Sequence, residues 1–143
     1  MHIRTMTSED IPAVARLATQ LGYPSEASDI ERRFALLRGD PDHVVFVAEA
    51  PTGAVVGWVH VHAQRLLEAE PFAEIGGLVV DEGWRGRGAG HLLMAAAERW
   101  AASNGYAQVC VRSNTVREAA HRFYQGLGYR PVKVQQVFRK TVA

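Results

Sequence analysis

Six consecutive residues, Arg85-Gly86-Arg87-Gly88-Ala89-Gly90, constrain this chain more tightly than any other stretch. Three glycines at alternate positions weaken both helix and strand, so the run reads as a loop. Before it lies Phe72 to Val80, an apolar strand candidate. After it, Gly88 to Ser103 carries the clearest helical pattern, with Leu92, Leu93, Ala96 and Trp100 on one side and Gly105 as its stop. A glycine loop leading into a helix leaves backbone N–H groups open to an anion, and the helix adds its positive N-terminal end. Arg85 and Arg87 supply charge of the right sign, so the pattern suits a pyrophosphate; the alternative is a tight turn with solvated arginines. Two better-known nucleotide loops do not fit. A Walker loop needs Lys-Ser/Thr after its last glycine, whereas Gly90 is followed by His91-Leu92, and a dinucleotide fingerprint needs glycine at 91.

The remaining elements fall on both sides of this loop. His2 to Met6 is a short strand. Thr7, with Asp10 three residues on, caps a helix whose Ile11, Val14, Leu17 and Leu21 recur at helical spacing until Gly22. Tyr23-Pro24 breaks the chain before a second helix, Ser25 to Arg38, with Ile30, Phe34 and Leu37 on one face. Val44 to Glu49 and Ala54 to Gln64 read as strands, with a break near Glu70-Pro71 before Phe72. Downstream, Ala107 to Arg112 is a buried strand, Arg117 to Leu127 a helix ended by Gly128, and Val132 to Arg139 a last strand. The order β-α-α-β-β-β-α-β-α-β predicts an α/β chain, α+β in stricter usage, around one mixed sheet. With 143 residues, and no repeat or linker, residues 1–143 are expected to form a single domain.

Charge and cysteine content narrow the function classes. A formal net charge of +1 provides no field to attract nucleic acid or an anionic membrane. Cys110 is the single cysteine, so no intrachain disulfide forms and a reducing compartment is expected. It lies in apolar Val109-Cys110-Val111 and reads as core, not nucleophile. The first residues run straight into Glu9 and Asp10 with no apolar stretch, which predicts a cytoplasmic, soluble protein without a signal peptide.

The loop and its surroundings resemble the GNAT acetyltransferase superfamily, from the first strand to the last. The family signature Arg/Gln-x-x-Gly-x-Gly/Ala, at the start of a long helix, is matched by Arg85, Gly88 and Gly90. The strand Ile75 to Asp81 is similar to the one whose backbone, here Leu78, Val79 and Val80, pairs with the pantetheine arm of CoA. The proline usual in the strand-to-loop connection is replaced by Asp81-Glu82-Gly83-Trp84. A second motif follows: Ser113-Asn114, then Arg117-Glu118-Ala119-Ala120-His121-Arg122-Phe123-Tyr124 and Gly128-Tyr129. In the family the asparagine touches the CoA arm, and the helical tyrosine stands near the thioester sulfur. Many members have alanine where Arg117 stands. The Arg-x-x-Ala-His-x-Phe-Tyr form is similar to the small-molecule branch, including aminoalkylphosphonate and aminoglycoside 6′-type enzymes. The resemblance implies a GNAT-like domain with a mixed sheet of six to seven strands flanked by about four helices. It also implies acetyl-CoA as co-substrate, bound by Leu78, Val79, Val80, Arg85, Gly86, Arg87, Gly88, Ala89, Gly90, Asn114 and Tyr124.

The chemistry of amide formation assigns further roles. The departing thiolate has a conjugate acid of pKa about 8.5, and a phenol of pKa about 10 protonates it at little cost, which suits Tyr124, the tyrosine the resemblance places near the sulfur, to the role of catalytic acid; outside the motif it would read as a half-buried helix aromatic. A primary amine of pKa near 10 is only about one part in a thousand neutral at pH 7. A proton acceptor is therefore useful, and Glu74, a charge inside the apolar Ala73-Glu74-Ile75, is the leading candidate, with an exposed edge carboxylate as its alternative. On the preceding strand His60, His62 and Gln64 share a face by the two-residue period. His62 and Gln64 with Glu74 form the candidate substrate side. They could relay water to the base, bind substrate or coordinate a divalent metal, and the spacing leaves these open. His121 reads as a packing or surface histidine. The function the resemblance implies is direct attack of a small-molecule primary amine on the thioester of acetyl-CoA. Acetylation of protein N-termini or lysines, and a non-catalytic acyl-CoA-binding module, are the alternatives. Homodimers are common in the family, though no residue here requires one.

Overall fold

The computed structural model describes all 143 residues, and the chain divides into two compact units, Met1–Val111 and Arg112–Ala143. The first contains strands β1 (His2–Thr5), β2 (His43–Glu49), β3 (Val55–Leu66), β4 (Ala69–Val80) and β5 (Val109–Val111), with helices α1 (Ile11–Leu21), α2 (Ala27–Leu37) and α3 (Ala89–Ser103). The second contains α4 (Glu118–Gly126). The strands lie in the order β1-β2-β3-β4-β5. The first four pair antiparallel and β4 pairs β5 in parallel, as a crossover through α3 requires.

The two faces of the sheet carry different helices. On one, Met6, Val47, Val55 and Val79 pack with Val14 and Leu17 of α1, and Ile30 and Phe34 of α2 close over them. On the other, a Cβ added to Gly57 of β3 would stand 3.1 Å from Leu93 of α3. The α3 face is built from Leu93, Met94, Ala96, Ala97 and Ala101, all buried; Leu93 and Ala96 point inward as expected, whereas Leu92 is 42% exposed. The inward seam of α3 keeps Leu93 and Ala96 and widens towards Met94, Ala97 and Ala101, leaving Leu92 outside it.

Two other expectations change. The break expected near Glu70-Pro71 lies earlier: β3 runs to Leu66 and β4 starts at Ala69. Gln64 faces Phe72 and Leu66 faces Ala69, so Glu70 and Pro71 together oppose Arg65. Pro71 is accommodated because a bulge requires no ladder N–H from it. The strand expected at Val132 to Arg139 does not form, and five strands stand where six to seven were expected. Val132, Val134, Val137 and Phe138 are exposed, and their own unit, Arg112–Ala143, holds no strand with which they could form a ladder.

Candidate active site

Residue pairing across β2, β3 and β4 builds the first part of the site. His60 faces Gly77, but Val61 faces Ile75, so Gly76 is an extra residue in β4. A bulge of one residue exchanges the two faces of a strand beyond it. By simple alternation Glu74 would share a face with Leu78 and Val80. The bulge moves it to the face of Val79, directly opposite His62. His62 in turn faces His43 of β2, and Glu74 faces Cys110 of β5. His43, His62, Glu74 and Cys110 thus form one row across the sheet. Cys110 is half-buried at its end, not deep in the core.

The side chains of this row interact closely. Glu74 is 6% exposed, and its Oε2 accepts a 2.7 Å hydrogen bond from the Gln64 amide. His62 Nε2 lies 3.7 Å from the same oxygen. The rings of His43 and His62 stack at 5.3 Å, those of His43 and His60 at 5.2 Å, and His43 Nδ1 is 3.0 Å from His60 Nε2. Burial, reinforced by His62 and His43, pushes the His60 imidazole down to about 4, so it is neutral at physiological pH. The expected grouping of His62, Gln64 and Glu74 is present. His43 joins it from another strand, a contact visible only through strand register. No group of three or more His, Cys, Asp or Glu side chains is arranged to hold a metal ion.

At the far end of β4 the chain turns through Asp81 and a single 3₁₀ turn, Glu82–Trp84, into the glycine-arginine loop. Asp81 accepts hydrogen bonds from Arg16 and Gln20 of α1, both at 3.3 Å, and Gln20 Oε1 accepts from the Glu82 N–H at 3.2 Å. These contacts tie the start of the loop to the helix layer. Arg85 Nε donates to the Val80 carbonyl at 3.3 Å, and the Arg87 guanidinium stacks on Trp84 at 4.7 Å. Gly88 is the N-cap of α3 with φ of +87°, a conformation that costs other residues energy. The first intrahelical bond runs from the Leu92 N–H to the Gly88 carbonyl. The N–H groups of the preceding first turn have no acceptor within the helix, as at every helix start. Backbone donors, a helix end and two held arginines are therefore carried by one loop, the kinds of donor an anion requires.

The second unit holds the other two candidates. Asn114 Oδ1 accepts from the Val116 N–H at 3.2 Å, and the Asn114 carbonyl accepts from Arg117 N–H at 3.0 Å and His121 Nε2 at 2.9 Å. His121 thereby fixes the turn that carries Asn114. At the other end of α4 the Tyr129 N–H bonds to the Tyr124 carbonyl and the Gly128 N–H to the Gln125 carbonyl, both at 3.0 Å, with Gly128 at φ of +95°. This is a Schellman stop, and the Tyr124 and Tyr129 rings meet edge-on at 6.0 Å across it. Tyr-x-x-x-Gly-Tyr is therefore a helix-ending motif that also holds the tyrosine ring. Burial raises the Tyr124 phenol above its ordinary value, only partly opposed by the Arg117 charge, so it keeps its proton.

Comparison with known proteins agrees with the motifs. Residues 11–129 match the Acetyltransferase (GNAT) family. The chain is 34% identical over 144 residues to an aminoalkylphosphonate N-acetyltransferase of Salmonella typhimurium, covering 99% of this chain and 90% of the relative. It is 28% identical over 141 residues to an aminoglycoside N(6′)-acetyltransferase type 1 of Stenotrophomonas maltophilia, covering 96% and 91%. An aminoglycoside N-acetyltransferase solved in complex with CoA superposes with a TM-score of 0.87 at 19% identity, covering 99% of this chain and 95% of that one. The chain belongs to the GNAT acetyltransferase family.

Proposed function

We propose that this chain acts as one N-acetyltransferase domain, residues 1–143, that transfers acetyl from acetyl-CoA to the primary amine of a small molecule. The observation that carries the reading is the Arg85–Gly90 loop at the N-terminus of α3, whose backbone donors and arginines suit a pyrophosphate. In this reading Leu78, Val79 and Val80 run beside the pantetheine arm, Arg85 to Gly90 hold the pyrophosphate, and Asn114 touches the arm. Glu74 accepts the proton of the acceptor ammonium. The amine then attacks the thioester carbon, a backbone N–H of β4 beyond its short pairing with β5 polarises the carbonyl, and Tyr124 protonates the departing thiolate. His62 and Gln64 line the acceptor side with Glu74. The small-molecule acceptor is supported by the two relatives named for such substrates and by the Arg117-x-x-Ala120-His121-x-Phe123-Tyr124 motif.

The test is a panel of amines with acetyl-CoA, following thiol release with and without added divalent cation. Thiol release with polyamines, aminophosphonates or aminoglycosides is the expected result. Activity confined to peptides would replace the small-molecule acceptor with a protein one. No turnover at all, with acetyl-CoA still bound, would make the chain an acyl-CoA-binding module. No helix is long and apolar enough to cross a membrane, which fits a cytoplasmic enzyme.

A further inference from the structure

We propose that Glu74 and His62 act as a proton-relay pair, in which His62 carries to solvent the proton that Glu74 takes from the acceptor. The inference rests on the acceptor-amine reading above. Overall, R–NH3⁺ and acetyl-S-CoA give the amide, HS-CoA and H⁺. The N–C bond forms, the C–S bond breaks, and the thiolate keeps one of the two protons that nitrogen loses. One proton per turnover must therefore leave the site.

Glu74 is poorly placed to release it alone. Its side chain is only 7% exposed, and the Gln64 amide donates to Oε2 at 2.7 Å. With so little of its side chain open to water, Glu74 is helped to return the proton by a more exposed carrier within reach. His62 has the right position and the right free nitrogen. Its Nε2 is 3.7 Å from Glu74 Oε2, and its side chain is 18% exposed. Its Nδ1 lies 3.3 Å from the Ala63 carbonyl oxygen. A carbonyl only accepts, so in the neutral ring this contact places the hydrogen on Nδ1 and the lone pair on Nε2, facing Glu74. Carboxylate and lone pair cannot bond to each other without a proton between them. At 3.7 Å the transfer runs through a small ring movement or one bridging water, since direct hydrogen bonds are shorter.

The surroundings suit a ring that gains and loses one charge. His43 of β2 stacks on His62 at 5.3 Å, and His60 of the same strand lies 5.3 Å away. Glu74 of β4 faces it, and Arg38 after α2 lines a cavity of about 270 Å³ that has His43 in its wall. Asp42, beside His43, is held by Arg65 at 2.7 Å. His60 is kept neutral by its burial, so it does not oppose the charge on its neighbour. The carboxylate of Glu74 balances that charge while it passes.

Two measurements on the full chain decide the matter. Long-range ¹⁵N–¹H spectra of the imidazoles read which His62 nitrogen bears hydrogen in the neutral ring, and Nδ1–H is expected. In steady-state kinetics with an accepted amine, His62→Ala should lower kcat roughly ten- to a hundredfold and leave the KM for acetyl-CoA unchanged. Free imidazole should restore part of that rate in the variant and leave the native enzyme unaffected, which a merely structural role would not produce. An Nε2–H tautomer, native turnover in His62→Ala, or a loss that imidazole does not restore would overturn the pair. So would native activity that a chelator abolishes and a divalent cation restores, because His62 would then be a ligand. A native protein that acetylates no amine contradicts the function proposed above, and the tautomer then decides the pair by itself.

Discussion

At Gly76 even a methyl group would meet His60 Nδ1 at 2.8 Å and His62 Cδ2 at 3.4 Å, so β4 carries its extra residue there as glycine. Gly76→Ala is expected to destabilise the fold by about 1–3 kcal/mol through overpacking. It should also lower kcat, because displacing His60 and His62 disturbs the residues facing Glu74; thermal melts and steady-state kinetics check both. Tyr124→Phe removes the proposed acid and should lower kcat roughly a hundredfold with little change in the KM for acetyl-CoA. Because burial raises the Tyr124 phenol, the acid form persists as pH rises, and its alkaline limb in the kcat profile should lie no lower than about pH 10. The identities of Glu74, His62 and Gln64 are legible in the sequence as polar groups among apolar strand residues. Their common face is less so. Period-two counting places Glu74 with Leu78 and Val80, and only the bulge at Gly76 brings it opposite His62. His43 gives no local signal, since it meets His60 and His62 through strand register across a gap of 17 residues or more.

Elements with strong local chemistry follow the sequence closely. Thr7 and Asp10 frame the approach to α1, the Asp10 carboxylate accepting the Thr7 N–H at 2.8 Å, and Gly22 ends that helix at φ of +108°. The Arg85–Gly90 loop forms where its glycines require, and Gly128 stops α4. The last strand is the element that local pattern over-predicts. Val132, Val134 and Val137 have strand-forming side chains, but a strand exists only with a ladder partner, and pairing is a long-range event that propensity does not encode. Pro71 misleads in the other direction, since it suggests a break whereas a bulge accommodates it inside β4.

Across the molecule, a polar network ties the first strand to the first helix and to β2. Arg4 donates twice to Asp10, at 2.8 and 2.9 Å, and its Nε donates to Glu49 at 2.6 Å. Asp10 is 4% exposed, and the Arg4 hydrogen bonds hold its carboxyl below the ordinary range. Removing Arg4 leaves a buried carboxylate without its cation, so Arg4→Ala should cost about 2–3 kcal/mol near neutral pH, somewhat less than a fully buried pair. A carboxyl with a depressed folded pKa stabilises above its unfolded value of about 3.9 and loses that contribution as pH falls towards the folded one. The gap between native and Arg4→Ala stabilities in urea should therefore narrow below about pH 4.

For the whole chain, the proposed function rests on the loop before α3 holding the pyrophosphate of CoA. Calorimetric titration of the native chain and of Gly88→Val with CoA, and with pantetheine, which lacks the pyrophosphate, tests it most directly. The native chain is expected to bind CoA at least tenfold more tightly than pantetheine, and Gly88→Val, still folded by circular dichroism, to lose most of that difference. Equal affinity for the two ligands in the native chain, or a CoA preference that survives in Gly88→Val, would contradict it.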